Sequence, residues 1–165
     1  MAANPKKSLA LDANVLLDLA EERDFAHEFI EEFAKRGYSF LIPPTASTEL
    51  DILATLGGTL QRRFAGISLG KMAIWGCQPF TLSSTDLTIA SRFAARLLEL
   101  RLLPEAELND GKILAQTSLA QIPLLVTSDK HLLEIGEDEL LLAFNEADLP
   151  PVHPAHPRRL MKALR

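Results

Sequence analysis

Four carboxylates stand where the chain could bring them together: Asp12, Glu49, Asp110 and Asp129. Asp12 closes the apolar run Leu9-Ala10-Leu11, and Asp129 closes Leu125-Val126-Thr127-Ser128. Glu49 falls about one turn into the helix expected after the next apolar strand. Asp110 lies inside the helix that feeds the last strand. Carboxylate oxygens are hard ligands, and Mg2+ or Mn2+ is held by a few of them while water and substrate phosphate complete the shell. An ion so placed can polarise a phosphodiester, activate a water and steady the leaving oxygen. Each acid also has an ordinary structural reading. Asp12 and Asp129 suit helix N-caps, and Glu49 suits a solvated helix face. Asp110 keeps company with Leu108, Ile113, Leu114 and Thr117, at the edge of a packed face where acids are seldom left without partners. Glu107 precedes Asp110 by three residues on the same face, and reads equally as a fifth acid of a site or as a solvated residue.

No other chemistry competes in the sequence. Cys77 is the only cysteine, so neither an intramolecular disulfide nor a cysteine-based metal site can form. There is no HExxH helix and no Gly-rich phosphate loop, and Ser68, Ser83 and Ser84 lack an evident histidine partner. Of the four histidines, His27 is expected on a surface helix and His153 and His156 in a proline-rich tail, all solvated; His131 follows Asp129.

The acids need a scaffold, and the hydrophobic pattern supplies one. Ser8 to Leu11 predicts a buried strand, followed by a helix over Asn14 to Ala20. Asp24 to Arg36 predicts an amphipathic helix, with Phe25, Phe29, Ile30 and Phe33 at helical spacing, Asp24 as cap and Gly37 just past the end. Tyr38 to Ile42 predicts a strand ended by Pro43-Pro44, and Thr45 then caps a helix to about Leu56, broken by Gly57-Gly58. Helices are predicted over Thr59 to Trp75, Asp86 to Arg101 and Glu105 to Gln121, with Gly76 to Thr85 as a connection. Leu124 to Thr127 predicts the last strand, Lys130 to Ile135 a short helix, and the chain from Leu149 an irregular proline-rich tail with a short basic helix at its end. Strands that are continuous apolar runs and alternate with helices imply an α/β fold with a parallel sheet covered on both faces, in one domain. Ligands bind beyond the carboxyl ends of such strands, which is where Asp12, Glu49 and Asp129 fall.

The net charge is −5, which excludes a generic polyanion binder. The charge is uneven. Arg62, Arg63, Lys71, Arg92, Arg96 and Arg101 face only Asp86 and Glu99 between Thr55 and Leu102, and Arg158, Arg159, Lys162 and Arg165 close the chain. Arg62 and Arg63, just after the glycine break, are the candidate phosphate contacts. No apolar run approaches the roughly 20 residues a membrane-spanning helix needs. Met1 to Ser8 is polar with Lys6 and Lys7 and has no apolar leader, so a cytoplasmic protein is expected.

Four segments together resemble the PIN-domain ribonucleases, including the VapC-type toxins of toxin–antitoxin pairs. They are Leu-Ala-Leu-Asp-Ala-Asn-Val-Leu-Leu-Asp at 9–18, Pro-Thr-Ala-Ser-Thr-Glu-Leu at 44–50, Leu-Asn-Asp-Gly-Lys-Ile-Leu-Ala-Gln-Thr at 108–117 and Leu-Leu-Val-Thr-Ser-Asp-Lys-His-Leu at 124–132. The resemblance implies a three-layer α/β/α fold and a Mg2+- or Mn2+-dependent endoribonuclease, often dimeric, with an antitoxin as a further partner. It carries over Asp12, Glu49, Asp110 and Asp129 as the metal-binding, catalytic quartet. Asn14, Thr127 and Ser128 fall where the family keeps polar residues that orient those acids. Leu140-Leu141-Leu142 and Phe144 are expected to leave an apolar patch for a homodimer. Two other functions stay open: a haloacid-dehalogenase-like phosphatase with Asp12 as nucleophile, because Asp12-Ala13-Asn14 loosely resembles that family's strand-end motif, and a non-catalytic binding module on the same fold.

Overall fold

A computed structural model describes residues 7–164. The polar start Met1 to Lys6 and the terminal Arg165 lie outside the described residues. The chain runs β1 (Ser8–Leu11), α1 (Ala13–Ala20), α2 (Asp24–Lys35), β2 (Ser39–Ile42), α3 (Pro44–Leu56), α4 (Thr59–Lys71), β3 (Cys77–Pro79) and α5 (Ser84–Glu99). A 3-10 turn (Glu105–Glu107) leads into α6 (Leu108–Leu119), then β4 (Leu124–Val126), α7 (Lys130–Leu133), α8 (Glu137–Glu146), β5 (His153–Ala155) and α9 (Pro157–Ala163).

All four sheet pairings are parallel, in the order β3-β2-β1-β4-β5. Every residue of β1 is buried, so helices cover both faces of the sheet at its centre. The order has one consequence for function. From β1 the chain winds outward through β2 and β3, and then returns to the other side of β1 for β4 and β5. The winding therefore reverses between β1 and β4, which pair through Ala10 with Leu125 and Leu11 with Val126. Ligands of open parallel sheets bind in the crevice at the carboxyl ends of such a strand pair. Asp12 and Asp129 follow those two ends.

The α6 helix is the most deeply packed. Asp110, Gly111 and every residue from Ile113 to Ser118 are buried. Gly111 makes this possible: a Cβ there would sit 2.9 Å from both Cα and Cβ of Ala94 on α5, so only glycine lets the two helices approach this closely. Phe93 of α5 stacks on Phe144 of α8 with ring centroids 4.6 Å apart, and Phe29 packs on Phe33 and Phe40. At Gly37 the backbone takes a φ of +85°, which ends α2 as its sequence position predicts.

Several predicted elements are corrected. The stretch Gly76 to Thr85 is not merely a connection, because Cys77–Pro79 adds β3 to the sheet. The tail from Leu149 is not irregular, because His153–Ala155 forms β5 before the basic helix α9. Both strands are three-residue edges with a proline, the one place where a missing ladder donor is tolerated, and for that reason they carry no strand-like pattern. Thr45 does not cap α3, which starts at Pro44; its amide and hydroxyl are both taken by Gln116 of α6. Asp24 is the first residue of α2 rather than its cap. Helix α4 ends at Lys71 instead of Trp75, and Glu105–Glu107 is a 3-10 turn before α6. In α8 Leu140 and Phe144 are core residues, leaving only Leu141 and Leu142 exposed, so the expected apolar patch is smaller than Leu140 to Phe144 suggests.

Candidate metal centre

Asp12 is 2 % exposed and does what a strand-to-helix aspartate ordinarily does: its Oδ1 accepts from the Ala13 amide at 2.7 Å and caps α1. Its Oδ2 accepts from the Thr127 hydroxyl at 3.0 Å and from the Asn14 amide nitrogen at 3.3 Å. Asp129 caps α7 by accepting from the His131 amide at 2.8 Å, and its own amide donates to Thr127 Oγ1 at 3.0 Å. Asn14 Oδ1 accepts from the Ser128 amide at 3.0 Å. The capping readings and the site readings of Asp12 and Asp129 are thus compatible. Asn14, Thr127 and Ser128 lace the ends of β1 and β4 together around them.

Asp110 differs. It is 6 % exposed, in the first turn of α6, and its Oδ2 has no hydrogen-bond partner among the described residues. One oxygen each from Glu107, Asp110 and Asp129 lie within 4.8 Å of one another. Three acids this close repel unless a proton or a cation sits between them. Burial first, then the charges of Asp12 and Asp129, push the Asp110 carboxyl well above the usual carboxylate range. Burial raises Asp12 to about 6, with the charge of Asp129 adding to it against the opposing hydrogen bonds of Thr127, Ala13 and Asn14. Burial, then Asp12, Asp129 and Glu107, raise Glu49 to about 7, although a hydrogen bond with Asn109 works the other way.

Of the four predicted acids, the structure therefore gathers Asp110 and Asp129 into one ligand-like group and adds Glu107. Asp12 and Glu49 adjoin that group closely enough to be felt by it. Glu49 comes from α3, whose first turn is pinned to α6: the Thr45 amide donates to Gln116 Oε1 at 3.0 Å, and Gln116 Nε2 donates to Thr45 Oγ1 at 2.7 Å. Helices α3 and α6 thereby hold Glu49 and Asp110 in a fixed relation. A buried carboxylate oxygen with no partner, beside two further carboxylates at the sheet's crevice, fits a hard divalent cation. The donor set contains no sulfur, and the one cysteine, Cys77, is buried with its thiol pushed up to about 12 by that burial.

Arg62 and Arg63 are exposed on α4 and form no ion pair among the described residues; Arg63 lies 6.0 Å from the Phe64 ring centroid. The histidines are more engaged than a solvated reading allows. His27 Nε2 meets Leu19 O at 2.9 Å, His131 lies 3.7 Å from Glu107, His153 lies 3.4 Å from Glu137, and His156 caps α9. Asp18 is a further member of the site's hydrogen-bond network. It accepts from the Ser128 hydroxyl at 2.9 Å, and its place four residues after Asn14, on the same helical face, was the available signal. Gln116 was missed as well; a glutamine inside the apolar stretch Ile113 to Leu119 was its mark. No described helix is long and apolar enough to cross a membrane.

No family model matches the sequence, and no curated protein matches it. Solved structures do. A chain of VapBC2 from Rickettsia felis, bound to a DNA fragment from their promoter, matches with a TM-score of 0.60 at 14 % identity, over 90 % of this chain and 98 % of that one. A chain of VapBC-1 from nontypeable Haemophilus influenzae matches with a TM-score of 0.57 at 13 % identity, over 92 % of this chain and 98 % of that one. Identities this low speak for the fold alone, and the fold they share with this chain is the PIN-like α/β fold with a central parallel sheet.

Proposed function

We propose that this chain is a Mg2+- or Mn2+-dependent ribonuclease that hydrolyses RNA phosphodiesters, and that it acts as the toxin of a toxin–antitoxin pair. The observation that carries the reading is the orphaned Asp110 Oδ2, buried beside the carboxylates of Glu107 and Asp129 at the reversal point of the sheet. The likeness to VapBC2 and VapBC-1 supports an antitoxin partner and agrees with the sequence resemblance.

Glu107, Asp110 and Asp129 would hold the ion, with Asp12 and Glu49 completing the acidic wall. When bound, the ion supplies positive charge that polarises the phosphodiester and acidifies a water. The chain's own residues do the rest. Asp12, fixed by Ala13, Thr127 and Asn14, holds negative charge against the group without rotating. Glu49, held beside the group by α3, would take a proton from an attacking water. Arg62 and Arg63 would contact RNA phosphates away from the acids. Leu141 and Leu142 would contribute to a homodimer, which light scattering at high micromolar concentration tests. The phosphatase reading fares worse, because Asn14 stands where that motif needs a second acid, and its side chain is held by Asp12, Thr127 and Ser128.

The test is cleavage of a mixed-sequence RNA with Mn2+ and with EDTA, alongside hydrolysis of p-nitrophenyl phosphate. Wild type should cut RNA only with the metal and leave the phosphate ester intact. Asp12→Asn, Asp110→Asn and Asp129→Asn should each abolish cutting, and Glu49→Gln nearly so. Cleavage that survives two of these substitutions would place the chemistry elsewhere. A well-folded wild type that neither binds the metal nor cuts RNA would favour the binding module.

A further inference from the structure

The turn Thr127–Asp129 has to hold Asp129 in the acid group, and two hydrogen bonds from one face of α1 fasten its middle residue. The Ser128 amide donates to Asn14 Oδ1 at 3.0 Å, and the Ser128 hydroxyl donates to Asp18 Oδ2 at 2.9 Å. Asn14 and Asp18 are four residues apart, so both project from the same side of α1 and grip Ser128 like two fingers. Asp12, which caps the same helix, receives the Thr127 hydroxyl. The strand end, the turn and the helix therefore form one hydrogen-bonded unit, with Asp18 its member furthest from the acids along α1. We propose that Asp18 is a positioning residue of the metal centre: through Ser128 it fixes the turn that presents Asp129, and so sets how tightly the site takes a divalent cation.

Stability alone does not account for an acid here. Asp18 is half buried, and that burial, its largest influence, works against its charge. Arg23 is near enough to favour the charge, but Arg23 already pairs with Glu21 at 3.2 Å. A neutral residue would avoid the burial penalty on α1, whereas only an acceptor at this place can orient the Ser128 hydroxyl. A carboxylate is the stronger acceptor of the available kinds. Hydrogen bonds made directly to a metal ligand change affinity by about 10–100-fold when removed, and this bond acts one residue further out, so an effect at the low end of that range is expected.

The inference rests on the metal-dependent reading above, and one experiment separates the two. Mn2+ is titrated against the melting temperature and against RNA cleavage for wild type, Asp18→Ala, Ser128→Ala, the double variant and Asp18→Asn. Asp18→Ala and Ser128→Ala should each raise the Mn2+ midpoint about tenfold with little change in melting temperature in EDTA. The double variant should be no worse than either single one, since both remove the same bond. Asp18→Asn, which keeps an acceptor oxygen, should stay within about threefold of wild type. If wild type responds to Mn2+ and Asp18→Ala has an unchanged midpoint, or if the two alanine effects add, the positioning role is wrong while the metal centre stands. If Asp18→Ala simply unfolds, Ser128→Ala and Asp18→Asn decide it alone: an unchanged Ser128→Ala midpoint overturns the proposal. A wild type indifferent to Mn2+ overturns the metal reading and this inference with it.

Discussion

Replacing Asp110 by asparagine should make the cation-free protein more stable while destroying its metal response. The Asp110 carboxylate is buried, one of its oxygens is unpartnered, and those of Glu107 and Asp129 lie within 4.8 Å. At an effective dielectric of about 20, two unit charges 4.8 Å apart repel by about 3.5 kcal/mol. Proton uptake by Asp110 and solvent around the half-buried Glu107 and Asp129 relieve part of that repulsion. An amide has the same shape, no charge and an NH2 that can donate to a neighbouring carboxylate. The expected gain is about 1–3 kcal/mol, or about 2–4 °C in melting temperature for each kcal/mol in a chain of this size. Melting in EDTA at pH 8 should therefore place Asp110→Asn about 2–12 °C above wild type. In millimolar Mn2+ the order should reverse or close, because the ion stabilises wild type by mass action and has lost a ligand in the variant. A variant that melts below wild type in EDTA and gains as much from Mn2+ would make Asp110 an ordinary satisfied core polar group.

The pH dependence of the cation-free chain should run opposite to ordinary acid denaturation. Asp12 and Glu49 are raised from 3.8 and 4.5 to about 6 and about 7, so the folded chain holds protons that the unfolded chain has released. Their contribution, up to about 3 kcal/mol apiece, is complete below about pH 4 and is lost as the pH rises through 6 and 7. Melting in EDTA should fall between pH 5 and pH 8, with Mn2+ flattening the fall; a rise over that range would show that these acids are paired in some other way. Gly111→Ala should destabilise by about 1–3 kcal/mol, because its Cβ meets Ala94 at 2.9 Å and pushes α6 from α5; unfolding in urea measures it, and a neutral result would mean that the helices are not packed as described. Arg62→Ala with Arg63→Ala should weaken RNA binding for every sequence and reduce the logarithmic salt slope by about 1.4, for two single-strand phosphates lost. The Mn2+ melt should be unchanged, and wild-type affinity with an unchanged slope would move the RNA path elsewhere, towards Arg158, Arg159 and Lys162.

What could be read ahead of the structure followed burial and periodicity. Leu9–Leu11 and Leu124–Val126 announce central strands because residues covered on both faces must all be apolar, and an aspartate at the end of each run then lands at the crevice of a parallel sheet. Helix α2 declares itself through Phe25, Phe29, Ile30 and Phe33. The edge strands were illegible for a physical reason: Cys77-Gln78-Pro79 and His153-Pro154-Ala155 need only one partner and tolerate a proline, so no pattern is imposed on them. Of the four acids singled out from the sequence, Asp110 and Asp129 come together in one group, with Asp12 and Glu49 beside it. Glu107, open from its spacing between a place in the site and solvent, falls beside Asp110 and Asp129, and Asp18 enters because the β4 turn folds against α1. Such tertiary hydrogen bonds leave no local trace beyond helical spacing.

The most direct test of the central claim is a crystal soaked in Mn2+ and measured at wavelengths above and below the manganese absorption edge. One strong anomalous peak is expected in contact with Asp110 Oδ2 and bounded by Glu107 and Asp129, absent from crystals of Asp110→Asn. An empty acid group in a wild-type crystal with manganese bound elsewhere, or with none bound at all, would contradict that claim.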